Sequence, residues 1–305
     1  ALGTAQVAAL TVRQRPGLTV GSVTALSSTQ IGVLDSNQLT AFSTAQLAAI
    51  SSADIKSVGT AALHALGADQ VAAMTSDQFS AMTTAQAVAL TADQLAGLTT
   101  AKLNALSSAD FAVLNSTQVA ALTAAQVGKL ETADLAALST VALKGMTVEG
   151  VAALSTGQIV ALTSAQAASL SADQVGAITT ADLAVMETAD LKALSTAALA
   201  GLSAGQVGAL TAPQAAALTT AQVHALTSDQ MLGMSTTGVA ALTTAQVSVL
   251  SASQVDGLTT AQLAAISTAG IKTLSTEALS VLTSAEINKL TSDQIAALTT
   301  QQIEA

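Results

Sequence analysis

The residues best able to do chemistry are few, and each stands alone. His64 and His224 are the two histidines of the chain. Imidazole is the side chain that most readily shuttles a proton or binds a metal near neutral pH, yet neither histidine has a second ligand or a carboxylate at useful spacing. Serine and threonine are abundant, but a nucleophilic hydroxyl needs an activating base, and no residue can be nominated for it. The glycines scatter, forming neither a phosphate-cradling loop nor a calcium-binding glycine-aspartate nonapeptide. Without cysteine, disulfide and thiol chemistry are closed. Asn115-Ser116-Thr117 fits a glycosylation acceptor. We therefore expect no catalytic constellation, no metal, no cofactor and no enzyme. The candidate contact residues are Arg13, Arg15, Pro16 and Gly17, which bring both arginines of the chain into one short stretch. They read as a distorted repeat, or as a docking point for an acidic partner or a neighbouring subunit.

What must position these residues is an eight-residue repeat whose register never slips. Stepping by eight from Leu2 gives Leu10, Leu18, Leu26, Leu34, Phe42, Ile50, Val58, Leu66 and Met74, and the series runs to Leu298. This is position eight of an octad whose position one is the Ser or Thr that follows. Position five is a second apolar column, with Val7, Val23, Ile31, Leu39 and Leu47 leading to Ile295 and Ile303, and Arg15 its one polar member. Position seven is small almost throughout, as at Ala73, Ala81, Ala89 and Gly97.

Apolar residues three apart share a helix face, whereas a half-buried strand wants them two apart. Each octad also carries a helix start signal. Position one is an N-cap type, and position four, usually Gln and otherwise often Asp or Glu, completes a capping box, as in Thr91 with Gln94 or Thr123 with Gln126. Positions eight and five then become the N′ and N4 residues of a hydrophobic staple. Charge placement agrees. Asp54, Asp110, Asp134, Asp182, Asp190 and Glu286 sit at position four, while Lys56, Lys144, Lys192 and Lys272 sit at position six, the arrangement a helix dipole favours.

One long helix is excluded, because eight residues at about 100° each carry the apolar stripe round the rod by roughly 80° per repeat. A β-solenoid is the rival, disfavoured by the alanine content and scarce aromatics. The expectation is an all-α fold, an α-solenoid of short capped helices with one helix per octad, running as a single continuous array over 1–305. Such helices cannot stand alone, so neighbouring coils must stack. Two or three octads per coil would both align the columns. Neither end departs from the pattern as a capping repeat would, so we expect either a piece of a longer array or ends that meet other copies.

Pro16, at position six, should break its helix, whereas Pro213 falls in a first turn where no donor is lost. The formal net charge of −10 with nine basic residues disfavours nucleic acid, which needs a basic stripe. No run approaches the ~20 apolar residues of a membrane span. No signal peptide is evident, although a mature chain would have lost one. The methionines at position eight, such as Met74 and Met146, read as core filling.

The phrase Leu-Thr-x-x-Gln-Val-x-Ala-Leu resembles the first helix of TAL-effector repeats, one octad at a time. The period, the missing base-reading loop and the charge carry no DNA role over. Along its whole length the chain is similar to the Thr/Ala/Gln-rich octapeptide arrays of large secreted or surface, adhesin-like proteobacterial proteins. That resemblance implies an extracellular structural or adhesive role. With the unslipping register, the uncapped ends and the lack of chemistry, we expect a secreted stalk, spacer or filament subunit at a bacterial surface, stacked end to end. The expected partners are copies of itself or flanking repeats, with a surface glycan or protein as a further partner. The second reading is a regular binding face for a glycan, a protein or ice, using the Thr and Gln columns.

Overall fold

The computed structural model describes residues 3–11, 13–14 and 17–304. Among these residues every regular element is a helix, 37 in all, each four to six residues long, and no strand occurs. The helical reading of the octad holds, and the β-solenoid rival falls.

Each helix stops for a reason visible in the octad. Position eight and the following position one are both extended, as at Leu90 (φ −62°, ψ 135°) and Thr91 (φ −78°, ψ 162°). Two consecutive extended residues redirect the chain without a left-handed residue, and none with positive φ occurs among those described. A glycine after each helix, the commonest C-terminal device, is therefore unnecessary. The restart is the capping box. Thr91 Oγ1 accepts from the Gln94 N–H at 3.1 Å, and Gln94 Oε1 accepts from the Thr91 N–H at 2.8 Å. A cap of this kind contributes typically ~1 kcal/mol.

The chain divides into two compact units, Ala1–Leu154 and Ser155–Ala305. The first holds α1 (Thr4–Ala8) to α18 (Val148–Ala152), the second α19 (Thr156–Val160) to α37 (Thr300–Glu304). In the first unit α11 (Ala92–Ala96) packs on α8 (Ala68–Ala72) and α14 (Ser116–Ala120); in the second α25 (Ala204–Gly208) packs on α28 (Ser228–Gly233). Partners are three octads apart. The two apolar columns lie between them, with Leu95, Leu103, Leu183 and Val207 fully buried. Small residues at position seven allow the close approach. At Gly145 and Gly201 a methyl group would overlap the backbone of Ser116 and Ala172 respectively, so these two positions demand glycine for lack of space.

A second set of contacts reaches one octad further. Gln94 Nε2 donates to the carbonyls of Leu63 (3.0 Å) and Leu66 (2.7 Å), four octads earlier. Helices thus pack three octads apart, and the glutamine reaches the turn that leads into the octad three before its own. Of the two stackings that the columns allow, the packing follows three octads per coil.

The break expected at Pro16 lies outside the described residues; of the stretch 11–18 the structure describes Thr11, Arg13, Gln14, Gly17 and Leu18. None of its described residues is α-helical, although Thr11 and Gln14 keep the capping contact, with the Thr11 N–H donating to Gln14 Oε1 at 3.0 Å. Pro213 lies inside the first turn of α26 (Ala212–Ala217), and the Thr211 cap on Gln214 survives beside it.

Candidate functional site

The most built feature of the molecule is the column of position-four side chains. In the first unit Gln78 bridges to Leu47 and Ile50, Gln86 to Ile55 and Val58, and Gln126 to Leu95 and Leu98. In the second, Gln214 bridges to Leu183 and Met186, Gln246 to Ala215 and Leu218, and Gln294 to Leu263 and Ile266. These distances run from 2.6 to 2.9 Å. The glutamines are buried; Gln78, Gln86 and Gln94 are each 1% exposed. Each amide oxygen serves its own cap, and each amide nitrogen pins a coil below. A buried amide satisfied on both ends stabilises the stack, whereas one left unpaired costs ~1–3 kcal/mol.

Where position four is Asp, the direction of bonding reverses, because a carboxylate can only accept. Ser108 Oγ donates to Asp134 at 2.7 Å, Thr156 Oγ1 to Asp182 at 2.9 Å and Ser164 Oγ to Asp190 at 2.6 Å, each from three octads earlier. Asp54 accepts from Ser28 and Ser51, and these hydroxyls hold its carboxyl below the ordinary aspartate range. Asp134 goes the other way. Burial pushes its pKa up against the Ser108 hydrogen bond, with Glu131 and Asp110 adding like charge. Lys102 takes the glutamine's part, its Nζ donating to the Ala72 carbonyl.

The column corrects one expectation. Where the position-four glutamines are buried, as from Gln78 to Gln94, they cannot share a binding face with the threonines. The exposed polar groups are the caps at position one, the residues of positions two and three, and position six. Asp69, Asp77, Asp93, Glu149, Asp173 and Asp229 are exposed at position three, and Lys56, Lys144, Lys192 and Lys272 at position six. Asn115 is an exposed cap whose Oδ1 accepts from the Gln118 N–H at 3.0 Å. His64 and His224 are exposed as well, and each ring Nδ1 meets a carbonyl three octads on, Ala89 at 2.9 Å and Val249 at 2.8 Å. They serve as surface tethers between coils, and neither meets a carboxylate among the described residues. Arg13 and Gly17 are exposed. Arg15 and Pro16, also named as contact residues, lie outside the described residues.

Sequence reasoning assigned glutamine to the capping box and missed its second job. The signal was present: Glu closes a capping box as well as Gln does, yet position four holds Gln many times and Glu only at Glu286. The excess of amide over acid marks a place where a donor is needed.

One surface stands apart from the polar exterior. Leu279, Leu282, Ile287, Leu290, Ile295 and Ile303 line a groove of about 350 Å³. Position five is buried through both units, yet Ile287 is 43%, Ile295 39% and Ile303 68% exposed. In the interior, position four of an octad covers position five of the octad three before it: a methyl group on Gly150 would touch Val127, and one on Gly270 would touch Val247.

A family model described as ALTTAQ repeat matches residues 47–84, 87–124, 98–132, 127–164, 183–220 and 256–292. A search of the curated proteins finds no match. Three matched segments open on a residue whose carbonyl accepts from a glutamine in the same segment: Leu47 from Gln78, Ala87 from Gln118 and Leu183 from Gln214. The matched unit is thus long enough to close the bond that joins one coil to the next. With the matches spanning more than half of its length, the chain belongs to the ALTTAQ repeat family.

Proposed function

We propose that this repeat-built α-solenoid is a structural element, not an enzyme, serving as a secreted stalk, spacer or filament subunit at a bacterial cell surface and stacking end to end with other octad arrays. The observation that carries the reading is the buried glutamine column. The polar side chains that could do chemistry are used to fasten each coil to another, which suits a protein whose task is to hold a length. Likeness to the octapeptide arrays of adhesin-like proteobacterial proteins supports the extracellular setting and an adhesive context. Cryo-electron microscopy of the purified chain at physiological salt, with immunogold labelling of intact cells that express it, tests the proposal. Fibres or rods with a regular axial repeat and label on unpermeabilised cells are the expected result. Label confined to broken cells would refute the surface role, and compact particles without an axial repeat would refute the structural one.

A second reading is narrower than the sequence suggests. Exposed hydroxyls of positions one and two form a regular polar surface that could meet a glycan, a protein or ice, without the glutamines. Thermal hysteresis or a glycan-array signal, lost on Thr→Val substitution along position two, would favour it.

A further inference from the structure

We propose that the coil at residues 131–154 is a release plane, where the stack of the first unit opens first and divides into separately cooperative blocks. The inference concerns the fold and stands apart from the surface role proposed above. Where the glutamine column is complete, it fastens a coil on all three of its sides. The coil at 75–98 carries Gln78, Gln86 and Gln94, each donating to two carbonyls of the coil beneath at 3.0 Å or less. A single gap is spanned by its neighbours. Asp110 leaves one side without an amide, but Gln118 and Gln126 hold the other two.

At 131–154 all three sides lose their amide together. Position four holds Asp134, Ala142 and Gly150. The carbonyls they stand over, of the buried Leu106, Leu114 and Leu122, receive no hydrogen bond among the described residues. In place of the ladder Ser108 Oγ donates to Asp134 at 2.7 Å. The same substitutions weaken the restart of each helix. α16 (Thr132–Ala137), α17 (Thr140–Leu143) and α18 (Val148–Ala152) all lack the capping box, and the Glu131 side chain makes no cap bond. In a stack whose coils touch only their neighbours, stability is a sum of coil and interface contributions, so cooperativity is cut where both are small. The apolar columns run through unbroken, with Leu135, Leu143 and Val151 buried. The plane is therefore closed at rest and yields before a laddered coil does. The arrangement recurs in the second unit at 267–290, where Gly270, Ala278 and Glu286 stand over the carbonyls of Leu242, Leu250 and Leu258, again without a hydrogen bond among the described residues.

Native-state hydrogen exchange of the full chain, read by mass spectrometry over a urea series, tests the plane. In the natural chain the amides of 131–154 should be about tenfold to a hundredfold less protected than those of 75–98, with a separate and lower urea midpoint. Asp134→Gln with Ala142→Gln supplies amides on two sides, and should raise protection of 131–154 about tenfold and bring its midpoint to that of 107–130. Gln78→Ala, Gln86→Ala and Gln94→Ala together place at 75–98 the residue that Ala62 and Ala142 already provide at position four. That triple variant should create a new weak segment at 75–98 and leave 131–154 as it was, with circular dichroism checking that helix content is kept. Even protection from 75 to 154 in the natural chain, or protection of 131–154 that the added glutamines do not raise, would overturn the proposal. The glutamine variant adds bonds to a folded stack, so it decides the matter by itself if the alanine variant loses helix content.

Discussion

Asp134→Gln should stabilise the chain at neutral pH and remove a pH-dependent weakness. Asp134 is 3% exposed and accepts a hydrogen bond from Ser108. Four octads earlier the buried Leu106 carbonyl receives no hydrogen bond among the described residues, where a glutamine amide would reach it and Leu103. Glutamine is tolerated at the equivalent site one octad before, where Gln126 is 3% exposed. The substitution adds two amide bonds of ~0.5–1.5 kcal/mol each and forfeits one of similar size from Ser108, and it removes a buried carboxylate, so a net gain of about 1–2 kcal/mol is expected. The pH dependence follows from the raised pKa. A carboxyl with a higher pKa when folded binds its proton more tightly in the native state, so stability is full below the unfolded value near ~3.9 and falls as pH rises through the folded value. Urea unfolding of both proteins, followed by circular dichroism at neutral and acid pH, measures this. The gap in midpoint should be widest at neutral pH and narrow on acidification. Equal midpoints at neutral pH, or a gap unchanged by acid, would refute the reasoning.

Three further outcomes test the same physics. Gln94→Glu keeps the cap but turns the donor aimed at Leu63 and Leu66 into a buried carboxylate facing two carbonyls, and should cost about 2–5 kcal/mol in the urea unfolding free energy. Gly201→Ala adds a methyl group where the Ala172 backbone already stands, so a loss of about 1–3 kcal/mol is expected, with hydrogen exchange rising first in the helices Ala172–Gly176 and Thr196–Leu199. Asp54 behaves oppositely to Asp134. Its pKa is lowered by Ser28 and Ser51, so its contribution is present above the unfolded value and is lost as pH falls through the folded value; Ser28→Ala should weaken that acid sensitivity in the same titration.

The all-α class, the helix per octad and its caps were legible because each depends on residues within eight positions of one another. Thr91 and Gln94 announce their contact by type and spacing alone. Coil size was not legible, since both columns repeat at every octad and are compatible with several stackings. Only the packing of helices three octads apart, with Gln94 reaching Leu63 and Leu66, chooses among them. The isolation of each histidine was legible, but their tethering to Ala89 and Val249 depends on a neighbour three octads away that no local pattern names. The contact residues Arg13 and Gly17 were picked because they break the repeat, whereas the groove around Ile295 obeys it perfectly and so gave no signal.

The span of the glutamine bond also sets how the array must fold. A helix of four to six residues is marginal in water by itself, and its first ladder bond requires the octad four further on. Nothing shorter than about five consecutive octads can close one, so nucleation is costly in loop entropy. Each added octad then gains contacts three and four repeats back for the ordering of eight residues. A stack that is hard to start and easy to extend resists fraying internally and is vulnerable at a face where the next octads are absent.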